Sequence, residues 1–395
     1  MDIQLSQRTQ RLSPSATLAL DQKARRLQAE GRDIVNLTAG EPDFRTVPAA
    51  EEAAVEAIRE GFTHYTEGKG DRRLREAVAE KLRRENGLIY DPEDIVVSNG
   101  AKQALAQVFF TLLDPGDEVI LLSPYWVSYR EQVLLAGGIP VEVPTLEEKG
   151  FHPDPHRVAR AITQRTKILV LNSPNNPTGA LYTREELQAL MELARHHNLW
   201  VLSDEIYEHI AYDGRMAVSP ASLDDDAFQR TIVVNGVSKA YAMTGWRIGY
   251  VASPRKAIIR GIAGWQSHLT SAPSAISQRA AEGALRGGIR PVKAMAAAFQ
   301  RRRDLLYPAL AAIPGLKVHR PEGAFYFFVG LGPYLEGTTS AQLAEELLED
   351  QGVAVVPGEA FGWPGYWRIS YAASEKELEK GMERLTAWFA VRAAP

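Results

Sequence analysis

Lys239 follows the apolar run Thr231-Ile-Val-Val in the stretch VSKAYAMTGWRIGY, with Arg247 eight residues beyond it. A lone lysine past a strand is ordinarily a solvated surface group, so a chemical role has to come from its company. Gly100-Ala101-Lys102 opens a helical pattern directly after an apolar run. Free N–H groups and the helix dipole favour a phosphate there, and Arg247 can supply a bidentate partner. Asp204 and Tyr207, in SDEIY, end a run too apolar for a sheet edge. A carboxylate in such a place needs a cationic or hydrogen-bonding partner. Trp126 in SPYW offers a flat apolar face for stacking, and NSPNNPTG adds amides. An amine for an imine, a carboxylate, a phenol, an amide, an indole and a phosphate cradle each suit a different part of pyridoxal 5′-phosphate. A lysine forms its Schiff base, and a carboxylate faces its pyridine nitrogen.

The elements that must position these groups read as strands alternating with helices. DIVVSNGAKQALAQVFFTLL, GDEVILLSPYW, TKILVLNSPNNPTG, LWVLSDEIY and RTIVVNGVSK each begin apolar and end polar, at Ser98-Asn99-Gly100, Tyr125-Trp126, Asn175-Asn176, Asp204 with Tyr207, and Ser238-Lys239. Alternation of this kind predicts a mainly parallel sheet wrapped by helices, whose ligands bind beyond the carboxyl ends of the strands. The polar ends should therefore converge on one pocket. Past about residue 290 the order becomes mixed: a long helix, KVHR, GAFYFFV, the helix AQLAEELLEDQG, VAVVPG and YWRISYA. This predicts a second, smaller α+β unit, with the opening residues packed against it.

Composition excludes several classes. The 395 residues include 45 Lys plus Arg against 49 Asp plus Glu, so no global field argues for nucleic acid or membrane partners. The basic runs KARR and QRRRD read as solvated helix faces. With no cysteine, disulfides, thiolate nucleophiles and Cys-based metal sites are ruled out. His196 and His197 are adjacent, so they face different sides of a helix, and no metal is implied. No apolar run approaches the length of a membrane span and no secretory core opens the chain, so the expectation is a cytoplasmic protein.

GVSKAYAMTGWRIG resembles the lysine signature of class I aminotransferases, and LTAGEPDF, SPYWVSY, NSPNNPTG, SDEIYE and WRISYA resemble that family's other landmarks in the same order. The resemblance covers essentially the whole chain. It implies the α/β pyridoxal-phosphate (PLP)-dependent transferase fold, fold type I. That fold has a large domain, residues 45–290, with a mainly parallel seven-stranded sheet, and a discontinuous small domain, residues 1–44 and 291–395. It also implies a homodimer with shared active sites. Lys239 would form the Schiff base and move the α-proton. Asp204 would hold the pyridine nitrogen protonated. Tyr207 and Asn176 would hydrogen-bond the phenolic oxygen, and Trp126 would stack on the ring. Gly100, Ala101, Ser238 and Arg247 would hold the phosphate, with Tyr65 of HYTEG reaching it from the other subunit. Arg368, with the backbone of Gly40, would clamp the substrate α-carboxylate.

Within that family the combination of PSAT, GEPDF and SPYWVSY resembles the bacterial aspartate aminotransferase branch, some of whose members also aminate prephenate. A dicarboxylic amino acid needs a second cation besides Arg368. Lys102 holds the expected place, with Arg11 assisting; aromatic and other keto-acid partners remain open. Two departures stand out: TEGKGDRRLREA, which puts Glu67 and Lys69 beside the expected entrance, and SNGAK where a pair of glycines is more usual. A ligand-sensing regulator on the same fold would need a DNA-binding segment, and residues 1–30 contain no helix-turn-helix pattern. A PLP lyase or synthase would share Lys239 and Asp204.

Overall fold

A computed structural model describes residues 4–10 and 16–392. Its main sheet has seven strands in the order Ile95–Ser98, Gly249–Ala252, Thr231–Gly236, Trp200–Asp204, Thr166–Asn172, Glu118–Ser123 and Ile139–Pro144. Only Gly249–Ala252 runs antiparallel to its neighbours. Helices cover both faces, which is why the inner strands read as continuous Val, Ile and Leu. Trp200–Asp204 is the central strand, so its terminal carboxylate has no sheet edge through which to reach water.

Two of the seven strands fall outside the five apolar runs identified above. Ile139–Pro144 is an edge strand with half of its residues exposed and with two prolines, a composition tolerated only where ladder N–H groups are not needed. Gly249–Ala252 is a four-residue strand hidden behind the lysine signature. Gly249 is required there by close approach: a Cβ would lie 2.3 Å from the nitrogen of Ala101. The absence of a side chain lets the start of helix Ala101–Leu112 settle against the strand.

The second unit is a four-stranded antiparallel sheet in the order Val356–Pro357, Tyr366–Ser370, Tyr326–Gly330 and Lys317–Val318. Helices Arg290–Ala311, Ser340–Gln351 and Glu375–Val391 pack on it. Val35–Asn36 pairs in parallel with Val353–Ala354, so residues near the start of the chain join this unit. Register places Arg368 opposite Phe328, hence on the same face as Tyr326. One hydrophobic core runs across the seam, joining Ile206, Tyr207 and Ile210 of the large sheet's strand ends to Phe299, Phe325 and Trp367.

QRRRD departs from the solvated face that its composition suggests. Arg302 and Arg303 are buried, the first against Asp43 at 2.6 Å, the second against Asp213 at 2.8 Å and over the ring of Tyr212. Helical spacing puts Phe299 and Leu306 on their side, and that apolar side is the core. No helix among the described residues is long and apolar enough to cross a membrane.

Candidate active site

The polar strand ends and the second unit enclose a cavity of about 390 Å³. Gly40, Ala101, Lys102, Trp126, Asn176, Asp204, Tyr207, Ser238, Lys239, Arg247 and Arg368 all line it. Tyr65 does not; it is 93% exposed on the outside of this cleft. Arg11 lies outside the described residues. Glu67 and Lys69 do not line this cleft either. Glu67 pairs with the buried Arg75 at 2.5 Å and Lys69 with Glu93, so the TEGKG segment is held by its own ion-pair network.

Asp204 sits at the floor. Its Oδ2 accepts from the Tyr129 hydroxyl at 2.6 Å and its Oδ1 from the Ile206 N–H at 3.3 Å. Burial lifts its pKa to about 6, against the pull of those two donors and of Lys239. Asn172, the last residue of strand Thr166–Asn172, donates to the Asp204 carbonyl at 3.0 Å and accepts from the Asn176 N–H at 3.0 Å. It thereby ties two of the strand ends together. Tyr207 shares a 2.8 Å hydrogen bond with Tyr326, and burial, then that neighbour, push its phenol well above the ordinary range.

Lys239 donates to the Gly40 carbonyl. Burial brings its pKa down to about 8, helped by Arg368 and Arg247 and opposed by Glu41 and Asp204. A pKa there provides a neutral amine close to physiological pH, which a nucleophile or a proton carrier requires.

At the rim Arg25 pairs with Asp21 and Glu41, whereas Arg247, Arg368 and Lys102 form no ion pair among the described residues. Arg247 donates to the carbonyls of Thr244 at 3.0 Å and Asn99 at 3.4 Å. Arg368, 2% exposed, donates to Asn176 Oδ1 at 3.1 Å and the Thr38 carbonyl at 2.8 Å, with its ring neighbour Tyr326 at 4.3 Å. Its Nε has no hydrogen-bond partner among the described residues. The ammonium of Lys102 stands 5.0 Å from the centre of the Trp126 ring, and desolvation, then Arg247, lower its pKa.

Gly100 completes an anion cradle. It adopts φ +78° at the N-cap of helix Ala101–Leu112, and a Cβ would come within 2.4 Å of the Arg247 guanidinium. The first-turn N–H groups of Ala101 and Lys102 have no intrahelical acceptor. A carboxylate at one end of the cavity, a phosphate-sized cradle at the other, an amine of lowered pKa between and an indole beside it fit pyridoxal phosphate. The orphaned Arg368 Nε leaves room for a further anion.

Sequence reading overlooked Tyr129, Asn172, Tyr326 and Glu41. Glu41 accepts from Thr244 at 2.7 Å and from Arg25 at 3.3 Å at the rim. Tyr129 and Asn172 stood inside quoted motifs, and Asn172 was detectable as a polar group ending an apolar run. Tyr326 was masked by the aromatic run FYFF, which reads as core.

The sequence profile of the family described as Aminotransferase class I and II matches residues 32–385. The aspartate/prephenate aminotransferase of Thermus thermophilus is 52% identical over 383 residues, 96% of this chain and 97% of that protein. The aspartate aminotransferase of Geobacillus stearothermophilus is 46% identical over 394 residues, covering 99% and 100%. Among solved structures, the Thermus thermophilus aspartate aminotransferase with maleate superposes with a TM-score of 0.93 at 51% identity, covering 98% of this chain and 99% of that one.

Proposed function

Given that this chain belongs to the class I and II aminotransferase family, we propose that it binds pyridoxal 5′-phosphate in the cleft and carries the amino group of L-aspartate to 2-oxoglutarate. Its working form in this reading is a cytoplasmic homodimer, with residues 45–290 as the cofactor-holding domain. The observation that carries the proposal is three cations on one cavity, Arg247, Arg368 and Lys102, that form no ion pair among the described residues and share the cavity with one buried acid, Asp204. Such a set suits a ligand with a basic ring nitrogen and three anionic groups.

Gly100, Ala101, Ser238 and Arg247 would hold the phosphate. Asp204, oriented by Tyr129, would keep a proton on the ring nitrogen, while Trp126 would cover the ring face and Tyr207 and Asn176 would donate to the phenolic oxygen. When bound, the cofactor supplies an aldehyde carbon that takes up the amine and a ring that accepts the electrons left by the α-proton. Lys239, neutral above about pH 8, would remove that proton and return it to the carbon that had been the cofactor's aldehyde. Arg368 grips the α-carboxylate as a bidentate donor, aided by the Gly40 backbone. Tyr65, 93% exposed, would reach the neighbouring subunit's phosphate.

Support for aspartate comes from Lys102. It lines the same cavity as Arg368 and forms no ion pair among the described residues, so a ligand with two carboxylates would find a cation for each. The solved Thermus thermophilus relative holds maleate, a four-carbon dicarboxylate. Relatives named aspartate/prephenate aminotransferases favour prephenate, also a dicarboxylate, as a second acceptor. The test is a half-reaction: purified protein loaded with pyridoxal phosphate should lose its visible absorbance on addition of aspartate alone and regain it with 2-oxoglutarate. A protein that takes up no pyridoxal phosphate overturns the reading.

A further inference from the structure

Behind the cleft, on the other side of the strand ends, lies a cluster of buried charge that the chemistry above does not touch. The segment after strand Trp200–Asp204 faces two ways. Asp204 and Tyr207 line the cavity, whereas Glu208 turns away into the interior, its side chain 8% exposed. Its carboxylate collects three hydrogen-bond donors, with His209 Nδ1 3.5 Å from Oε1 as a fourth neighbour. Lys81, from helix Arg72–Asn86 and buried in turn, donates to Oε1; Asn86 Nδ2 donates to Oε2 at 2.8 Å; and Asn235 Nδ2 donates to Oε1 at 2.7 Å. The Lys81 ammonium is completed by Asn86 Oδ1 at 2.8 Å and by Glu85 at 3.8 Å.

Asn235 is what gives this cluster a reach into the site. It lies in strand Thr231–Gly236, four residues before Lys239, and its own Oδ1 accepts from the Gly236 N–H at 2.7 Å. The sheet ladder couples these segments through backbone only as far as the bond from Glu205 N–H to the Val234 carbonyl, 2.8 Å. Beyond it, Ser238 and Lys239 leave the sheet in a turn. Glu208 therefore supplies a side-chain tie one step past the end of the ladder, between the segment bearing Asp204 and Tyr207 and the segment bearing Lys239. An apolar pair of the same volume would hold the core as well or better. What the ionic cluster adds is directed hydrogen bonds to two separate segments.

We propose that Glu208, with Lys81 as its counter-ion, is a positioning residue for the reaction: through Asn235 it sets where the Lys239 segment lies relative to Asp204 and Tyr207. This rests on the reading of the cleft as the reaction site. Displacements of about 1 Å in such constellations cost roughly a hundredfold in rate, so the tie should be visible in turnover rather than in binding.

Asn235→Ala cuts the tie while leaving the Lys81–Glu208 pair and the Asn86 contact in place. The expected result is a fall in kcat of about tenfold to a hundredfold with KM for aspartate changed by less than about threefold. The pH midpoint of the bound cofactor's visible absorbance should shift by about half a unit or more, because the Lys239 surroundings change. In the cofactor-free protein, amide exchange across residues 236–243 should quicken about tenfold relative to strand Thr166–Asn172. Asn86→Ala removes a contact of the same carboxylate without touching the Lys239 segment, and should lower the melting temperature while leaving kcat alone. Should Asn235→Ala fail to fold, the apolar double variant Glu208→Met with Lys81→Met removes the acceptor of the Asn235 amide without leaving a buried charge and carries the same expectations.

Unchanged kcat, spectral midpoint and exchange in a folded variant would overturn the proposal. So would an Asn86→Ala enzyme as slow as Asn235→Ala, which would reduce the cluster to a stabilising one. If the wild-type protein takes up no pyridoxal phosphate, the functional reading fails. The exchange measurement then decides the positioning role by itself.

Discussion

Arg303 and Lys81 are as deeply buried as Arg368, at 0%, 1% and 2% exposure, yet the first two lie against carboxylates and the third does not. In the interior, Arg303 spans Asp213 and Asp304, and Lys81 meets Glu208 and Glu85. Around the cleft, Arg368, Arg247 and Lys102 contact carbonyls, an amide and an aromatic face. Taking a charge out of water costs several kcal/mol unless a partner answers it. Of the three cleft cations only Arg368 is buried, and among the described residues no carboxylate pairs with it, so an anion from outside is what would answer its charge. The comparison locates the site without reference to any relative.

The most severe way to break that comparison is to remove the cation that does the chemistry. Lys239→Ala should lose about a thousandfold or more in turnover together with the absorbance change on adding aspartate. An amine-directed label should react with Lys239 of the cofactor-free wild type with a rate rising through about pH 8. A midpoint near 10 would show that burial does not tune this amine.

Arg368→Met sharpens the contrast between open and paired cations. kcat/KM should fall about a hundredfold for every amino acid, since the α-carboxylate loses its bidentate partner. Stability of the ligand-free protein should hold or rise by about 1 kcal/mol, because an unanswered buried charge is gone. Lys81→Met, which strands Glu208, should instead cost about 3 kcal/mol in urea unfolding. Equal losses for the two would erase the distinction. A smaller effect is expected at Lys102. Lys102→Ala should raise KM for aspartate about tenfold and leave a monocarboxylic amino acid within about twofold. Parallel changes would move the distal subsite elsewhere.

Much of this site is legible before folding because its residues end apolar runs. Lys239, Asp204, Asn176 and Gly100 each close a run of Val, Ile and Leu, and a parallel sheet brings such ends to one edge by construction. What composition concealed is the identity of partners distant in sequence. Arg302 and Arg303 sit in a run of three arginines that resembles a wet surface, and their burial depends on Asp43 and Asp213, which no local pattern connects to them. Ile139–Pro144 carries two prolines and a glutamate, the marks of a loop, and becomes a strand only because an edge position asks less of its N–H groups. Glu67 pairs with Arg75, one helical turn into Arg72–Asn86, a partner that the motif around Tyr65 does not reveal.

His152 presents the mildest version of the paired cation, at the seam between the two units. Its Nδ1 meets Glu186 at 2.9 Å and its Nε2 meets Glu322 at 3.0 Å, and Glu322 lies just ahead of strand Tyr326–Gly330. Burial acts to lower the imidazole pKa, but hydrogen bonds and charge from the two carboxylates outweigh it and lift the value to about 9. A folded pKa above the unfolded 6.5 means that the protonated form favours the native state. The contribution is complete below about pH 6.5 and is lost as pH rises through about 9. Because the ring is partly reachable by solvent, the loss should be on the order of 1 kcal/mol, read as a decline in urea-unfolding free energy between pH 6.5 and 9.5. In His152→Gln that decline should flatten, the neutral amide having no proton to surrender. The same slope in both proteins would mean that the two carboxylates are answered by Arg215 and the Thr183 and Leu181 amides rather than by the imidazolium.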